Sequence, residues 1–262
     1  MIEVLKSADD LARQNWDVLV PTMGALHAGH ESLIKLAKTK GDQVIVSIFV
    51  NPLQFENKED LLNYPKTIDS DLKIAAGAGA SAVFLPSESE IYSAGYKKIE
   101  AGAGGEIYEG KSRSGHFTGV LTVVNRLFDL VKPKYAIFGE KDFQQLFLIK
   151  QMAKKLALAV EILSAPTIRD ANGVALSSRN SKLGDNGIKT ASIIYRALSL
   201  GNLERARQLI KSEPDFKVDY LEMIDANTFD LAKEDTENKR LIIAGWINQV
   251  RLIDNMAMGS KR

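Results

Sequence analysis

At 262 residues, with 45% hydrophobic and 26% charged side chains, the chain is long enough for one large core or two smaller ones and has the composition of an ordinary globular protein. Its 34 basic and 33 acidic residues leave a formal charge of +1, which argues against a broad nucleic-acid surface. The absence of cysteine removes disulfides, thiolate metal sites and cysteine nucleophiles together, and no apolar run is long enough for a signal peptide or a bilayer span, so the expected compartment is the cytosol.

Continuous apolar runs at residues 18–20, 44–50, 82–85, 135–138 and 160–163 read as buried strands. Helical periodicity separates them. Residues 31–40 place Leu33, Ile34 and Ala37 on one face, and residues 68–76 align Ile68, Leu72 and Ala75 with Gly77 as a C-terminal cap. Residues 118–131 carry an apolar stripe halted by Pro133, and residues 142–158 form another helix with Asp142 as its N-cap. This alternation predicts an α/β fold, a Rossmann-like doubly wound parallel sheet over residues 1–176. Beyond it, helices at 187–200 and 203–211 precede strands at 218–224, 241–247 and 250–253, the last two joined by a tight Asn248-Gln249 turn. Residues 177–262 are therefore expected to form a smaller α+β C-terminal domain with an antiparallel sheet, serving as a lid.

Ligands of open α/β sheets bind beyond the carboxyl ends of the strands, and three polar clusters fall there. The first, Pro21-Thr22-Met23-Gly24-Ala25-Leu26-His27-Ala28-Gly29-His30, holds two of the three histidines in the chain where a strand gives way to a helix. A helix start offers backbone N–H donors and partial positive charge to phosphates, glycine permits close approach, and imidazole adds further donors. The second cluster, Asn51-Pro52-Leu53-Gln54-Phe55, supplies neutral amides suited to hydroxyls or a carboxylate. The third, Gly139-Glu140-Lys141-Asp142-Phe143-Gln144-Gln145, supplies a mobile cation in Lys141 and an amide in Gln145. Ser177-Ser178-Arg179-Asn180 joins two hydroxyls to a guanidinium capable of clamping a polyphosphate, and Arg113 to His116 form a further polar patch. Together these residues predict a nucleotide-activating site.

Residues 105–112, Gly-Glu-Ile-Tyr-Glu-Gly-Lys-Ser, satisfy the Walker A pattern letter for letter. That loop needs a buried strand before it and a helix after it; here neither flank qualifies, and Glu106 and Glu109 would bring negative charge towards phosphates. The match is read as accidental.

The His27-Ala28-Gly29-His30 cluster resembles the His-x-Gly-His signature of nucleotidylyl transferases and class I aminoacyl-tRNA synthetases. With 49–55, 139–145 and 176–180 in the same order and spacing, the set resembles the pantoate–β-alanine ligases, a likeness that continues more weakly to Arg251-Leu252-Ile253-Asp254-Asn255. Ser114 departs from the proline frequent in that family, and Ile247-Asn248-Gln249 from its usual glycine–basic–threonine run. The resemblance implies an AMP-forming ligase with a pantoyl-adenylate intermediate, usually a homodimer, with ATP as substrate and Mg²⁺ carried on it rather than in a dedicated protein site. It implies that Met23, Gly24, Ala25, Leu26, His27, Ala28, Gly29 and His30 line the ATP site, with His30 the general acid. Gly139, Glu140, Lys141, Asp142, Ile168, Leu176, Ser177, Ser178 and Arg179 complete it, Gln54 meets pantoate and β-alanine, Asn51 supports Gln54, and Gln145 holds pantoate. The competing expectations are another nucleotidylyl transferase that forms no amide, and a non-catalytic nucleotide sensor on the same fold.

Overall fold

The computed structural model of the chain describes residues 2–259. Strands β1 (Glu3–Leu5), β2 (Val18–Thr22), β3 (Val44–Ile48), β4 (Ala82–Phe84), β5 (Tyr135–Gly139) and β6 (Glu161–Ala165) form one parallel sheet in the order β1-β4-β3-β2-β5-β6. The helices α1 (Ala8–Leu11), α2 (Ala28–Lys38), α3 (Lys58–Leu62), α4 (Ile68–Gly77), α5 (Glu88–Ile91), α6 (Glu109–Ser112), α7 (His116–Val131) and α8 (Phe143–Lys155) fall between these strands in sequence. Val18, Leu19, Val20, Val44, Ile45 and Val46 are fully buried, as expected of strands covered on both faces.

Helix boundaries shift in two informative places. The second helix starts at Ala28 rather than Glu31, so His27 is its N-cap and His30 lies in its first turn. The fourth runs through Gly77, and the left-handed residue that follows is Gly79, at φ +98°. The three-residue strand β1 is too short to show in the sequence pattern, yet it completes the sheet beside β4.

The chain winds out from β2 in two directions, through β3 and β4 on one side and through β5 and β6 on the other. This makes β2/β5 the topological switch point, where open α/β sheets bind ligands. The β2–β3 ladder continues to Thr22↔Ile48 and the β5–β6 ladder to Gly139↔Ala165, whereas β2 meets β5 only at Val18↔Tyr135 and Leu19↔Ala136. The sheet therefore opens at its carboxyl rim at the switch point. Its amino rim is stapled shut. The Asp17 carboxylate accepts the Asp42 and Gln43 N–H groups at 3.1 and 3.0 Å and Lys134 Nζ at 2.9 Å, while its backbone carbonyl accepts from Lys134 and Tyr135.

Residues 105–112 show none of the Walker architecture. A 3₁₀ turn, Ala103–Gly105, precedes them and a single helical turn, α6, ends them. A side chain at Gly110 would lie 1.8 Å from the Gly105 carbonyl oxygen, so the segment is folded tightly on itself.

Contacts between α-carbons divide the chain into two compact units, Met1–Gly139 with Leu148–Ala165, and Glu140–Phe147 with Pro166–Arg262. The second unit contains α9 (Gly184–Ser199) and α10 (Leu203–Lys211) and the antiparallel strands β7 (Phe216–Asp225), β8 (Lys239–Ile247) and β9 (Val250–Ala257), in the order β7-β8-β9. Asn248, at φ +54°, turns β8 into β9. Ala197, Leu198, Leu241 and Ile243 centre a core distinct from that of the parallel sheet. This division takes Glu140–Phe147 and residues 166–176 into the second unit, where the sequence reading runs 1–176 together; hydrogen bonds from β9, described below, are the physical reason. Among the described residues, no helix is long and apolar enough to cross a membrane.

Candidate active site

The turn after β2 is built to hold two imidazoles at a helix start. His27 is the N-cap of α2, and its Nδ1 accepts the Gly29 N–H at 3.1 Å. His30 Nδ1 accepts the His27 N–H at 3.3 Å, closing a reciprocal capping box in which imidazoles replace the usual hydroxyl and carboxylate. The rings lie 4.2 Å apart, centroid to centroid. Because each Nδ1 is an acceptor here, the neutral tautomer of each ring carries its proton on Nε2. The two backbone N–H groups donated to these rings thus set the tautomer of both imidazoles.

The approach to this turn is held from below by Asp71, a residue without an assigned role in the sequence reading. Asp71 lies on α4 and is 1% exposed. Its carboxylate accepts the N–H groups of Ala25 and Leu26 at 3.0 and 2.8 Å and the Thr67 hydroxyl at 3.0 Å. Gly24 (φ +82°) and Ala25 (φ +51°) adopt left-handed backbone, and a side chain at Gly24 would meet Asp71 Oδ2 at 3.0 Å. The available signal was a lone carboxylate one turn from Ile68 and Ala75, on a helix face otherwise apolar.

The Phe49 N–H donates to the Thr22 carbonyl at 3.1 Å, so the second cluster leaves the sheet beside the first. Asn51 and Gln54 are 1% and 8% exposed. Asn51 Nδ2 donates to Gln54 Oε1 at 3.0 Å and to the Gly119 carbonyl at 3.1 Å, and the Tyr92 hydroxyl donates to Asn51 Oδ1 at 2.5 Å. Burial raises the pKa of the Tyr92 phenol, keeping it a donor. With Oε1 accepting from Asn51, Gln54 presents Nε2 as its donor. Gly119 allows this packing: a side chain there would stand 2.3 Å from the Leu53 carbonyl oxygen. His116, from the polar patch at residues 113–116, is buried at the start of α7. Its Nδ1 lies 2.9 Å from the Gln54 carbonyl and its Nε2 accepts from Arg113 Nη1 at 3.0 Å. The carbonyl can only accept, so His116 donates from Nδ1.

The remaining candidates lie beyond β5. Gly139 ends the strand, Glu140, Lys141 and Asp142 form a 3₁₀ turn, and Gln145 is half-buried in the first turn of α8. Lys141 Nζ is 3.6 Å from the Asp142 carboxylate, and the lysine side chain is 19% exposed. Leu176 N–H donates to the Ile168 carbonyl at 2.9 Å, closing a small hairpin that brings Ile168 next to the Leu176–Arg179 segment. Ser177 caps the following 3₁₀ turn through its hydroxyl, which accepts the Arg179 N–H at 3.2 Å. The candidates thus form two sets. Met23–His30 with Asn51 and Gln54 belong to the first unit, along with Gly139; Glu140–Asp142, Gln145, Ile168 and Leu176–Arg179 belong to the second.

A parallel sheet opened at its switch point, with a histidine-capped helix leaving its central strand, is the construction of the nucleotidylyl-transferase class. The sequence model described as Pantoate-beta-alanine ligase matches residues 2–257. The pantothenate synthetase of Carboxydothermus hydrogenoformans is 46% identical over 257 residues, covering 91% of this chain and 90% of the relative. That of Moorella thermoacetica is 42% identical over 254 residues, covering 92% and 90%. Among solved structures, pantothenate synthetase from Thermus thermophilus superposes with a TM-score of 0.92 at 36% identity, covering 98% of this chain and 99% of the other. Pantoate-beta-alanine ligase from Francisella tularensis, complexed with beta-gamma ATP and beta-alanine, gives 0.84 at 39% identity, covering 98% of both. The chain belongs to the pantoate–β-alanine ligase family.

Proposed function

We propose that the chain condenses pantoate with β-alanine in two steps. The pantoate carboxylate attacks the α-phosphorus of ATP and expels pyrophosphate, giving pantoyl adenylate. The β-alanine amine then attacks the acyl carbon, loses a proton as the C–N bond forms, and displaces AMP to leave pantothenate. Family membership and the Francisella relative's complex support this reading. The observation that carries it in the geometry is the histidine-capped helix start, with both Nδ1 atoms used internally, at the opened switch point of the sheet.

A carboxylate approaching a polyanion meets electrostatic repulsion, and preorganised donors lower that barrier. His27 and His30 donate from Nε2 to phosphate oxygens, with His30 the general acid, on a surface lined by Met23, Gly24, Ala25, Leu26, Ala28 and Gly29. Lys141, flanked by Gly139, Glu140 and Asp142, holds phosphates, as do Ser177, Ser178 and Arg179 beside Ile168 and Leu176. Gln145 holds pantoate. Gln54, oriented by Asn51, donates to oxygen atoms of pantoate and β-alanine and not to the amine nitrogen, which leaves the lone pair of that amine available for attack. The phosphate-facing candidates are mostly hydrogen donors, whereas Mg²⁺ takes oxygen ligands, so the ion would be held by the nucleotide's own phosphates and would supply charge neutralisation there. We further assign the enzyme to the cytosol as a homodimer, testable by fractionation and light scattering.

ATP–pyrophosphate exchange should depend on pantoate, and AMP with pantothenate should accumulate only when ATP, pantoate and β-alanine are all present. Exchange without pantoate, or AMP release without amide formation, rejects the reading in favour of a different transferase. His30→Ala should slow exchange by roughly a hundredfold or more, the effect of removing one donor to a developing oxyanion. A near-normal rate would remove His30 from the chemistry.

A further inference from the structure

Asn255 on β9 is 4% exposed, and every polar atom of its side chain is committed. Nδ2 donates to the Glu140 carbonyl at 2.8 Å and to the Lys141 carbonyl at 2.9 Å. Oδ1 accepts from Arg240 Nη1, and Arg240 also reaches Glu140 Oε2 at 3.4 Å and lies over the Phe143 ring at 4.0 Å. The neighbouring Asp254 carboxylate accepts the Asn255 N–H at 2.7 Å and pairs with both terminal nitrogens of Arg169, the residue next to Ile168.

The two carbonyls that Asn255 grips belong to the two peptide planes on either side of the Lys141 α-carbon. Peptide planes are rigid, so holding both fixes φ and ψ of Lys141 and hence the direction in which its side chain leaves the backbone. A lysine side chain is long and rotatable, and its root is the part the fold can best direct. We propose that Asn255 is a positioning residue for adenylate formation, aiming Lys141 through this two-carbonyl clamp. The proposal rests on the assignment of Lys141 to the nucleotide phosphates. It also accounts for the amide. Aspartate has nearly the same shape but no donors, and would set negative charge against two carbonyl oxygens.

The test is a double-mutant cycle in the full chain, with Asn255→Asp and Lys141→Ala made singly and together. Pantoate-dependent ATP–pyrophosphate exchange is the readout, with enough enzyme to keep the slowest variant measurable. Asn255→Asp should slow exchange roughly tenfold or more when Lys141 is present and less than about twofold when it is alanine, the signature of residues acting as one unit. An equal loss in both backgrounds would mean a general structural role and overturn the proposal, as would an unimpaired Asn255→Asp enzyme. A Lys141→Ala enzyme with a normal rate removes the phosphate assignment, and the proposal falls with it; a slow Lys141→Ala beside a normal Asn255→Asp removes the proposal alone. If Asn255→Asp does not fold, judged by circular dichroism, Asn255→Ala takes its place in the cycle. Loss of folding in both variants assigns Asn255 to stability and also overturns the proposal.

Discussion

At the scale of single residues, the candidate site is organised by groups that spend their hydrogen-bonding capacity inside the protein. His27 and His30 use one ring nitrogen each to finish a helix, leaving Nε2 as the donor. Gln54 uses its carbonyl oxygen on Asn51, leaving Nε2 as the donor. Asp71 carries the same logic one layer deeper, because the N–H groups of Ala25 and Leu26 have their acceptor in its carboxylate. Asp71→Asn would turn one acceptor atom into a donor facing those N–H groups, and an unsatisfied buried polar group costs roughly 1–3 kcal/mol. The expected outcome is a rise in the KM for ATP and an exchange rate lowered about tenfold or more, while thermal unfolding shows a largely intact sheet. Unchanged ATP kinetics would show that the turn holds without this carboxylate. The histidine pair was readable because its chemistry and its helix start lie within a few residues. Asp71 was not, because a carboxylate on a buried helix face declares its partner only when the strand turn 45 residues earlier is folded against it.

Among the elements, the strands were legible wherever β-branched runs were continuous, and the helix before β3 wherever leucine and isoleucine repeated on one face. Less legible was how the two rims of the parallel sheet differ. The carboxyl rim parts after Leu19↔Ala136, whereas the amino rim is tied across β2, β3 and β5 by Asp17. Hydrogen bonds from the Gln43 backbone and from Lys134, with the positive charge of Lys134, hold the Asp17 carboxyl below its usual range. A carboxylate whose pKa is depressed by folding adds stability above its unfolded value, near 4, and loses that contribution as the pH falls through its folded value. Asp17→Asn should therefore be less stable than the parent at pH 7, with the gap narrowing as the pH drops below about 4. Urea melts across that range measure it; a gap independent of pH would show that the carboxylate charge contributes nothing.

Across the whole molecule, each unit has its own apolar centre. Ile243 is fully buried in β8 amid the core of the second unit, and Ile→Ala at such positions costs roughly 2–5 kcal/mol. Ile243→Ala should lower hydrogen-exchange protection in β7, β8 and β9 and leave that of β2 and β3 near the parent level. Equal loss in both sheets would mean that the two cores melt as one. The broad plan of a parallel sheet followed by a small antiparallel one was visible in the spacing of strands and helices. The allegiance of Glu140–Phe147 was not, since it is decided by an asparagine 114 residues after Lys141 in sequence.

The route of the chain carries a further consequence. It leaves the first unit after Gly139, returns at Leu148, and departs for good after Ala165. Lys141 is thus carried on an excursion rather than on a tail. No single genetic breakpoint can hand the parallel sheet to a new neighbour and keep the lysine with the asparagine that grips it. Recombination that preserves the pair must either inherit the chain entire or splice it at two places at once, which makes the ligase a poor donor of interchangeable modules.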